Sequence, residues 1–319
     1  MNELYTTLKT FGHLKANEPM SKHTTFKIGG PAEYFLTINT TEKLIEALRY
    51  LDEENVPYFI LGGGSNMLVS DEGYQGVVIN IQTAMSGIED GFFVADAGCA
   101  TVEVAQKTMA AQLSGFEWGV GVPGTIGGAV RGNAGAMGKE MKDDVYSVDV
   151  YRNGEVVTLT NAECEFGYRH SAFKHSSDVI LRVALKLAPY TSIEQQAESK
   201  QKMLDFLKYR NTTQPKGFAS TGCIFKNVDC VAQNVESKIE IPEEFLKRGK
   251  ISAGWLVEQA GMKGRQIGQA QVSPVHGNFV VNLGGATASD VTALIEEIKT
   301  AVCNKTGITL EEEIQMWGN

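Results

Sequence analysis

Residues 119–138 read GVGVPGTIGGAVRGNAGAMG, and eight of these twenty residues are glycine while almost none are charged. Glycine costs roughly 1 kcal/mol per helical position relative to alanine and also weakens strands, so this segment cannot form an ordinary long helix or strand. The apolar Val120, Val122, Ile126 and Val130 argue against disorder. A long surface loop is the alternative. We favour a backbone that turns sharply against a phosphate-bearing ligand, because exposed N–H groups in glycine turns bind anions.

A second glycine-rich segment, Gly62-Gly63-Gly64-Ser65-Asn66, directly follows the apolar run 57–61. It does not match the dinucleotide fingerprint of a βαβ unit, since the third glycine position is Met67. The match starting at Gly119 follows a helical segment and contains Pro123, so it fails as well. Two glycine segments far apart in sequence therefore predict a large dinucleotide held between two subdomains.

Composition excludes several classes of function. The chain has 319 residues, a net charge of −9 and no long block of lysine and arginine, so it lacks the charge pattern of a nucleic-acid-binding protein. No run approaches the roughly 18 apolar residues of a membrane-spanning helix, and we expect a cytoplasmic protein. The five cysteines are scattered without zinc-ligand spacing, so we expect no metal.

Short strand-like runs alternate with helical segments, which predicts an α+β fold. We expect an amphipathic helix within residues 1–20 that ends near Lys15, and a hairpin turn at Asn153-Gly154. A long polar helix is predicted over Ile193–Tyr209, ended by the Gln214-Pro215 break. A C-terminal strand over Leu310–Ile314 would place Glu311 and Glu313 on one face.

Three places combine reactive groups with turns. Arg169 lies among aromatic residues, where its guanidinium could hold a carboxylate bidentately. Cys223 follows a glycine, and Glu311 and Glu313 supply carboxylates near the C-terminus. Taken singly, a surface ion pair, an inert buried thiol and a solvated acidic edge explain these residues better.

Taken together, six motifs in order resemble the UDP-N-acetylenolpyruvoylglucosamine reductase family, in the form with the shorter substrate domain. The resemblance covers essentially the whole chain. It rests on KIGGPA (27–32), LGGGSN (61–66), GVPGTIGGA (121–129), GNAGA (132–136), the Tyr168-Arg169-x-Ser171-x-Phe173-Lys174 run, and GCIFKN (222–227).

The resemblance implies an FAD-binding fold of the vanillyl-alcohol-oxidase type, built from two α+β subdomains, plus a smaller α+β substrate-binding domain. The expected bounds are 1–82 and 83–212 for the subdomains, 213–306 for the UDP-sugar-binding domain, and 307–319 for a strand that returns to the flavin site. NADPH would reduce the FAD, and the enolpyruvyl UDP-sugar would then accept hydride. No nucleic acid, membrane or obligate protein partner is implied.

The resemblance also implies site residues. Arg169 and Glu313 would stabilise charge at the substrate carboxylate, with Glu311 as the alternative to Glu313. Cys223 would protonate the substrate, at a position where most of the family carries serine. The FAD-binding residues would be Gly62, Gly63, Gly64, Ser65, Asn66, Pro123, Gly124, Thr125, Gly127, Gly128, Asn133, Ala134, Gly135 and Arg210. The substrate-binding residues would be Tyr168, Lys226, Asn227, Lys263 and His276.

Two other functions remain open at this point. One is another oxidase or reductase on the same flavin fold. The other is a flavin-binding module without turnover, against which the joint presence of Arg169, Cys223 and Glu313 argues, since binding alone does not require them.

Overall fold

The computed structural model describes residues 3–230 and 237–318. Among these, the α-helices are α1 (Glu3–Leu8), α2 (Thr41–Glu53), α3 (Thr101–Ala110), α4 (Ile126–Arg131), α5 (Met141–Asp144), α6 (Ile193–Thr213), α7 (Glu243–Arg248), α8 (Ala253–Gln259) and α9 (Ala288–Thr306). The strands are β1 (His13–Pro19), β2 (Pro31–Ile38), β3 (Tyr58–Leu61), β4 (Met67–Val69), β5 (Tyr74–Ile81), β6 (Ser86–Glu89), β7 (Phe92–Asp96), β8 (Leu113–Ser114), β9 (Gly135–Ala136), β10 (Lys139–Glu140), β11 (Val145–Arg152), β12 (Glu155–Thr160), β13 (Val179–Leu185), β14 (Ala188–Pro189), β15 (Ala219–Cys223), β16 (Val228–Asp229), β17 (Lys250–Ile251), β18 (Gln266–Ile267), β19 (Ala270–Val272), β20 (Phe279–Asn282) and β21 (Gln315–Trp317). The mixture is α+β, as the sequence predicts.

The chain divides into two compact units. The first comprises Met1–Glu18, Ala32–Gly63 and Gln75–Arg210, and the second comprises Pro19–Pro31, Gly64–Tyr74 and Asn211–Asn319. The division after Arg210 lies beside the boundary expected at residue 212. Two short segments, 19–31 and 64–74, belong to the second unit although the sequence alone groups them with the first.

The first sheet of the first unit has the strand order β1-β2-β5-β3, with β3 parallel to β5. Helix α2 buries Leu44, Ala47, Leu48 and Leu51, the i, i+3, i+4, i+7 pattern of one helix face, in the core below this sheet. The Thr40 hydroxyl accepts the Lys43 N–H and caps the N-terminus of α2.

The predicted N-terminal helix is wrong beyond its first turns. Helix α1 ends at Leu8, and His13–Pro19 is strand β1 instead. Pairing of β1 with β2 at the edge of the sheet outweighs the helical pattern of the local sequence, because helix propensity is a weak prior against tertiary pairing.

The second sheet of the first unit has the order β12-β11-β13-β7-β6, and its neighbouring strands are antiparallel. Asn153 and Gly154 join β11 to β12 with φ of 49° and 86°, which confirms the predicted hairpin turn. Strand β13 is buried on both faces, since Val183 packs in one core and Leu181 in the other. Helices α3 and α4 cover the first of these cores.

Helix α6 runs from Ile193 to Thr213 and stops one residue before Gln214, close to its predicted extent. No helix in the part of the chain that the structure describes is long and apolar enough to span a membrane.

The second unit is built on the sheet β15-β20-β19-β18, against which α8 and α9 pack around one core. Strand β21 lies parallel to β4, with Gln315 opposite Met67 and Trp317 opposite Val69. The predicted strand over Leu310–Ile314 is wrong in its bounds. That segment makes only a single bridge, Phe225 to Glu312, and regular strand begins at Gln315.

Asp71 links segment 64–74 to the N-terminus of α9 within the second unit. Its carboxylate accepts hydrogen bonds from the N–H groups of Ala288 and Ser289, at 2.7 and 3.0 Å, and from the Ser289 hydroxyl at 2.9 Å. Burial pushes the pKa of Asp71 upward, but these hydrogen bonds outweigh burial and hold the pKa below its ordinary value. The carboxylate also interacts favourably with the positive end of the α9 dipole.

We expect Asp71→Asn to destabilise the protein by about 1 kcal/mol, because the amide is a weaker acceptor at this helix N-terminus. Urea denaturation at neutral pH measures this as a lower midpoint. Glu72→Gln removes the same charge at the exposed neighbouring position and is the control. Equal shifts for both variants would contradict the capping role.

Candidate active site

The two glycine segments contain residues that meet in the first unit. A Cβ atom on Gly63 would lie 2.7 Å from the Cα of Gly124, and one on Gly62 would lie 2.5 Å from the Thr125 hydroxyl. Gly124 itself has φ of 100°, which side chains rarely adopt. Gly62, Gly63 and Gly124 therefore present bare backbone where a side chain does not fit, and Gly63 is exposed to solvent.

The first turn of α4 uses its own N–H groups inside the protein. The N–H groups of Ile126 and Gly127 donate to the carbonyls of Cys99 and Ala97, both at 2.9 Å, and that of Gly128 donates to the Thr125 hydroxyl at 3.3 Å. A Cβ on Gly127 would lie 2.8 Å from the Ala97 Cβ. Gly127 thus allows close packing, and these N–H groups already have partners.

Asn133 fixes the segment after α4. Its side chain is fully buried and donates to the Glu140 carboxylate at 3.0 Å and to the Gly167 carbonyl at 2.8 Å, while its oxygen accepts the Lys142 N–H at 3.0 Å. The residue has φ of 41°, a conformation that asparagine tolerates better than most residues. Ala134 and Gly135 follow directly, so Asn133 sets where their backbone lies.

Arg169 is held in the tight turn 167–170. Gly167 and His170 exchange backbone hydrogen bonds of 3.0 and 3.1 Å, and Arg169 adopts φ of 52° between them. Its guanidinium carbon lies 5.5 Å from the centre of the Tyr168 ring, and Nη2 lies 3.5 Å from the Gly135 carbonyl oxygen. Three predicted site residues are thereby brought together.

Arg210, near the C-terminal end of α6, donates a hydrogen bond to the Gly121 carbonyl. Arg210, which the family resemblance implies as an FAD-binding residue, therefore contacts the glycine-rich segment.

In the second unit, Cys223 follows a β-bulge. The register of β15 with β20 shifts between Ser220 and Cys223, and Gly222 has φ of 82° inside the bulge. The buried Thr221 hydroxyl accepts the Met67 N–H at 2.8 Å. Bulges re-aim side chains at the rims of sheets, and this bulge places a partly buried thiol at the end of β15.

Glu313 is held on both sides by predicted site segments. Its N–H donates to the Ile224 carbonyl at 2.7 Å, and its carbonyl accepts the Asn66 side-chain amide at 3.2 Å. Asn66 also accepts the Gln315 N–H at 3.1 Å through its backbone. Residues predicted from three distant places in the sequence, Asn66, Cys223 and Glu313, therefore share one hydrogen-bonded region.

The two neighbouring glutamates are engaged elsewhere. Glu311 forms an ion pair with Lys226, whose N–H also donates to the Glu311 carbonyl at 2.9 Å. Glu312 pairs with Lys299 at 2.8 Å.

Three further predicted residues of the second unit have protein partners. The Asn227 side chain accepts the Ala253 N–H at 3.1 Å at the start of α8, and Lys263 pairs with Glu258 at 3.1 Å. The His276 ring accepts the Asn278 N–H at Nδ1 over 3.2 Å. Burial lowers the pKa of His276, and Lys263 acts in the same direction, so the neutral ring with its proton on Nε2 is favoured.

The predicted site residues divide between the two units. The first unit holds Gly62, Gly63, Pro123, Gly124, Thr125, Gly127, Gly128, Asn133, Ala134, Gly135, Tyr168, Arg169 and Arg210. The second holds Gly64, Ser65, Asn66, Cys223, Lys226, Asn227, Lys263, His276 and Glu313.

Sequence reasoning missed Thr221 and Asn278. Both are polar residues buried beside the Cys223 motif, at 2% and 3% exposure. The available signal was an asparagine directly before the apolar strand 279–281, where a buried polar residue requires a specific partner.

Two family descriptions match this chain. Residues 214–317 match the family "UDP-N-acetylenolpyruvoylglucosamine reductase, C-terminal domain", and residues 32–160 match the family "FAD binding domain".

Curated relatives match over nearly the full length. The UDP-N-acetylenolpyruvoylglucosamine reductase of Caldanaerobacter subterraneus subsp. tengcongensis is 38% identical over 96% of this chain and 94% of its own. That of Heliobacterium modesticaldum is 38% identical over 97% of this chain and 92% of its own. The crystal structure of UDP-N-acetylenolpyruvylglucosamine reductase from Thermus caldophilus superposes with a TM-score of 0.76 at 33% identity, covering 96% of this chain and 100% of that chain.

The lowered pKa of His276 predicts a pH dependence of stability. Because the unfolded chain binds this proton at a higher pH than the folded chain does, the stabilising contribution is complete above about pH 6.5 and is lost as the pH falls below it. His276→Gln should therefore lose less stability than wild type between about pH 7.5 and about pH 5.5.

Urea denaturation at the two pH values measures the difference. His13→Gln, at an exposed histidine, is the control and should leave the wild-type dependence intact. An unchanged pH dependence in His276→Gln would contradict the assignment.

Proposed function

The chain belongs to the UDP-N-acetylenolpyruvoylglucosamine reductase family, and from this premise we propose that it reduces the enolpyruvyl group of UDP-N-acetylglucosamine enolpyruvate to the lactyl ether. The product is UDP-N-acetylmuramate, a peptidoglycan precursor. FAD is the non-covalent cofactor, NADPH is the reductant, and the reaction takes place in the cytoplasm. Residues 1–82 and 83–212 serve as the FAD-binding subdomains, 213–306 as the UDP-sugar-binding domain, and 307–319 as the returning segment.

The bare backbone at Gly62, Gly63 and Gly124 suits a large phosphate-bearing cofactor. Side chains are excluded there by contacts as short as 2.5 Å, so the backbone itself can approach a pyrophosphate closely. Gly127 and Gly128 contribute by lacking side chains rather than through their N–H groups, which are already used. Within the first unit, Pro123, Thr125, Ala134 and Gly135 serve the same cofactor, and Arg210 adds positive charge beside Gly121. The assignment of Gly64, Ser65 and Asn66 to the cofactor rests on the family resemblance alone.

Bound FAD, once reduced by NADPH, would supply the hydride that the substrate accepts. The residues of the chain then have two tasks. Negative charge develops toward the substrate carboxylate and must be stabilised, which Arg169 does with its guanidinium while Tyr168 supports the side chain. A proton must also be delivered to the substrate carbon next to the one that accepts the hydride. Cys223 donates this proton as a general acid.

The single observation that carries this proposal is the junction of Cys223 and Glu313. The Glu313 N–H bonds to the carbonyl of Ile224, the residue after Cys223, so a proton donor and a carboxylate from distant parts of the chain lie on adjoining backbone. A non-catalytic flavin carrier requires no such arrangement.

A further set of residues suits the UDP-sugar. Lys226 and Lys263 offer adaptable positive charge for a diphosphate, although each is paired with a glutamate and must exchange that partner for the ligand. Asn227 lies beside Lys226, and the neutral His276 can donate from Nε2.

We expect Gly63→Ala to bind FAD about fivefold to about 100-fold more weakly, because the added methyl displaces the backbone at Gly124, at a cost of about 1–3 kcal/mol. Flavin absorbance per protein after gel filtration measures retention. Gly87→Ala, also in the first unit, meets nothing within 4 Å and should retain FAD as wild type does. Full retention of FAD in Gly63→Ala would contradict the proposal that the cofactor binds against the backbone at Gly63 and Gly124.

The reaction itself is tested anaerobically. The flavin spectrum is recorded, one equivalent of NADPH is added, and UDP-N-acetylglucosamine enolpyruvate follows. We expect bleaching and then prompt return of the oxidised spectrum. If the flavin absorbance bleaches but does not return after the substrate is added, the substrate assignment is wrong. If the protein is colourless and does not bind added FAD, the cofactor assignment is wrong.

Cys223→Ala should slow the substrate-dependent return of flavin absorbance by about 10²-fold or more, since a general acid contributes 10²–10⁴-fold. Cys223→Ser should remain substantially active, because a hydroxyl can occupy the same position. Cys230→Ala, a partly buried cysteine of the same unit, is the control. A wild-type rate for Cys223→Ala would show that another group is the acid.

A further inference from the structure

Asn278 holds the backbone that directly follows Cys223, and the same backbone is bonded to Glu313. Its side-chain amide donates to the Phe225 carbonyl at 2.8 Å, and its side-chain oxygen accepts the Phe225 N–H at 2.9 Å. Its backbone carbonyl accepts the Ile224 N–H, also at 2.9 Å. The residue is 3% exposed, so these bonds lie away from water.

The β-bulge explains why these hydrogen bonds of Asn278 are needed. Regular pairing of β15 with β20 is interrupted between Ser220 and Cys223, and it ends with Cys223 opposite Phe279. Beyond that point the Asn278 side chain presents one donor and one acceptor to Phe225, as a neighbouring strand would. The asparagine therefore fixes the backbone immediately after Cys223, where the strand ladder no longer does so.

The same bonds extend to Glu313. Ile224 is held by Asn278 through its N–H and accepts the Glu313 N–H through its carbonyl at 2.7 Å. On the other side, the Asn278 N–H donates to His276. Asn278 thus touches the backbone of one proposed catalytic segment directly and reaches the other through a single residue.

We propose that Asn278 is a positioning residue that sets the placement of the Cys223 thiol relative to Glu313 for proton delivery. The role rests on the proposed function, since it serves the acid assigned above. Buried hydrogen-bond networks hold their members in one arrangement only when every donor and acceptor is paired, and Asn278 pairs both peptide groups of Phe225.

Asn282 provides a matched control within the same unit. It lies in β20, is 6% exposed, donates to the Phe26 carbonyl at 3.0 Å and accepts the N–H groups of Gly284 and Ala286. It is as buried and as well bonded as Asn278, but its side chain does not contact the Cys223 segment. Truncation of either asparagine leaves buried backbone groups unpaired, so both are expected to lower stability similarly.

The test uses Asn278→Ala and Asn282→Ala in the FAD-loaded protein, with Asn278→Ser and Asn282→Ser as smaller perturbations in case an alanine variant does not fold. The first readout does not depend on turnover. The protein is alkylated with iodoacetamide at several pH values, and mass spectrometry gives the rate at Cys223 relative to the exposed Cys303 of the same molecule. The second readout is kcat and KM, followed by the single-turnover rate with the enolpyruvyl substrate.

The Asn278 variants should shift the pH profile of Cys223 alkylation and lower kcat by on the order of tenfold to a hundredfold with little change in KM, as expected when a reacting group is misplaced. The Asn282 variants should leave the alkylation profile and kcat within about twofold of wild type. If both asparagines give equal effects, or if the alkylation profile of Cys223 is unchanged in both Asn278 variants, the positioning role is overturned. Failure of wild-type protein to turn over the substrate would instead overturn the proposed function, and the alkylation readout would still decide the role of Asn278.

Discussion

Close approach of backbone to backbone is the constraint on which this structure depends. At Gly73, a Cβ would lie 1.8 Å from the Pro31 carbonyl oxygen, and at Gly30 it would lie 2.1 Å from the Asp71 carbonyl oxygen. Gly64, with φ of 59°, would place a Cβ 2.1 Å from the His23 carbonyl oxygen. These contacts join segments 19–31 and 64–74 within the second unit. The same lack of side chains brings Gly62 and Gly63 against Gly124 and Thr125 in the first unit.

Glycine in this chain therefore has two uses that the sequence does not distinguish. One is to pack two loops of the protein together, as at Gly30 and Gly73, and the other is to leave exposed backbone that a ligand can approach, as at Gly63. Both uses demand the same residue because both remove the Cβ atom. The two uses can be told apart only from the residues that lie near each glycine in the folded structure.

The fold class, the Asn153-Gly154 hairpin and helix α6 could be predicted because each depends on residues close in sequence. Strand β1 could not, because its strand conformation comes from pairing with β2 rather than from its own pattern. The assignment of segments 19–31 and 64–74 to the second unit was also beyond sequence reasoning, since it depends on contacts between residues that are distant in sequence.

The candidate site shows the same limit. Motifs with a reactive residue next to a glycine, such as Gly222-Cys223, are visible in sequence, and the resemblance to a family places them in one reaction. Asn278 and Thr221 were missed because each acts on the backbone of another segment through its side chain. Nothing in their own neighbourhood predicts which carbonyl or N–H group they will meet.

The three consecutive glutamates near the C-terminus, Glu311, Glu312 and Glu313, are held by the protein in different ways. Alternation in a strand places Glu311 and Glu313 on one face and favours neither. The side chain of Glu311 forms an ion pair with Lys226, and that of Glu312 forms one with Lys299. The backbone of Glu313 is hydrogen-bonded to Ile224 and to the Asn66 side chain. A group that takes part in chemistry must be held in one place by rigid backbone, and the peptide groups of Glu313 are bonded to two predicted site segments. On this reasoning we propose that Glu313, rather than Glu311, acts on the substrate, and that Lys226 exchanges Glu311 for an anionic ligand.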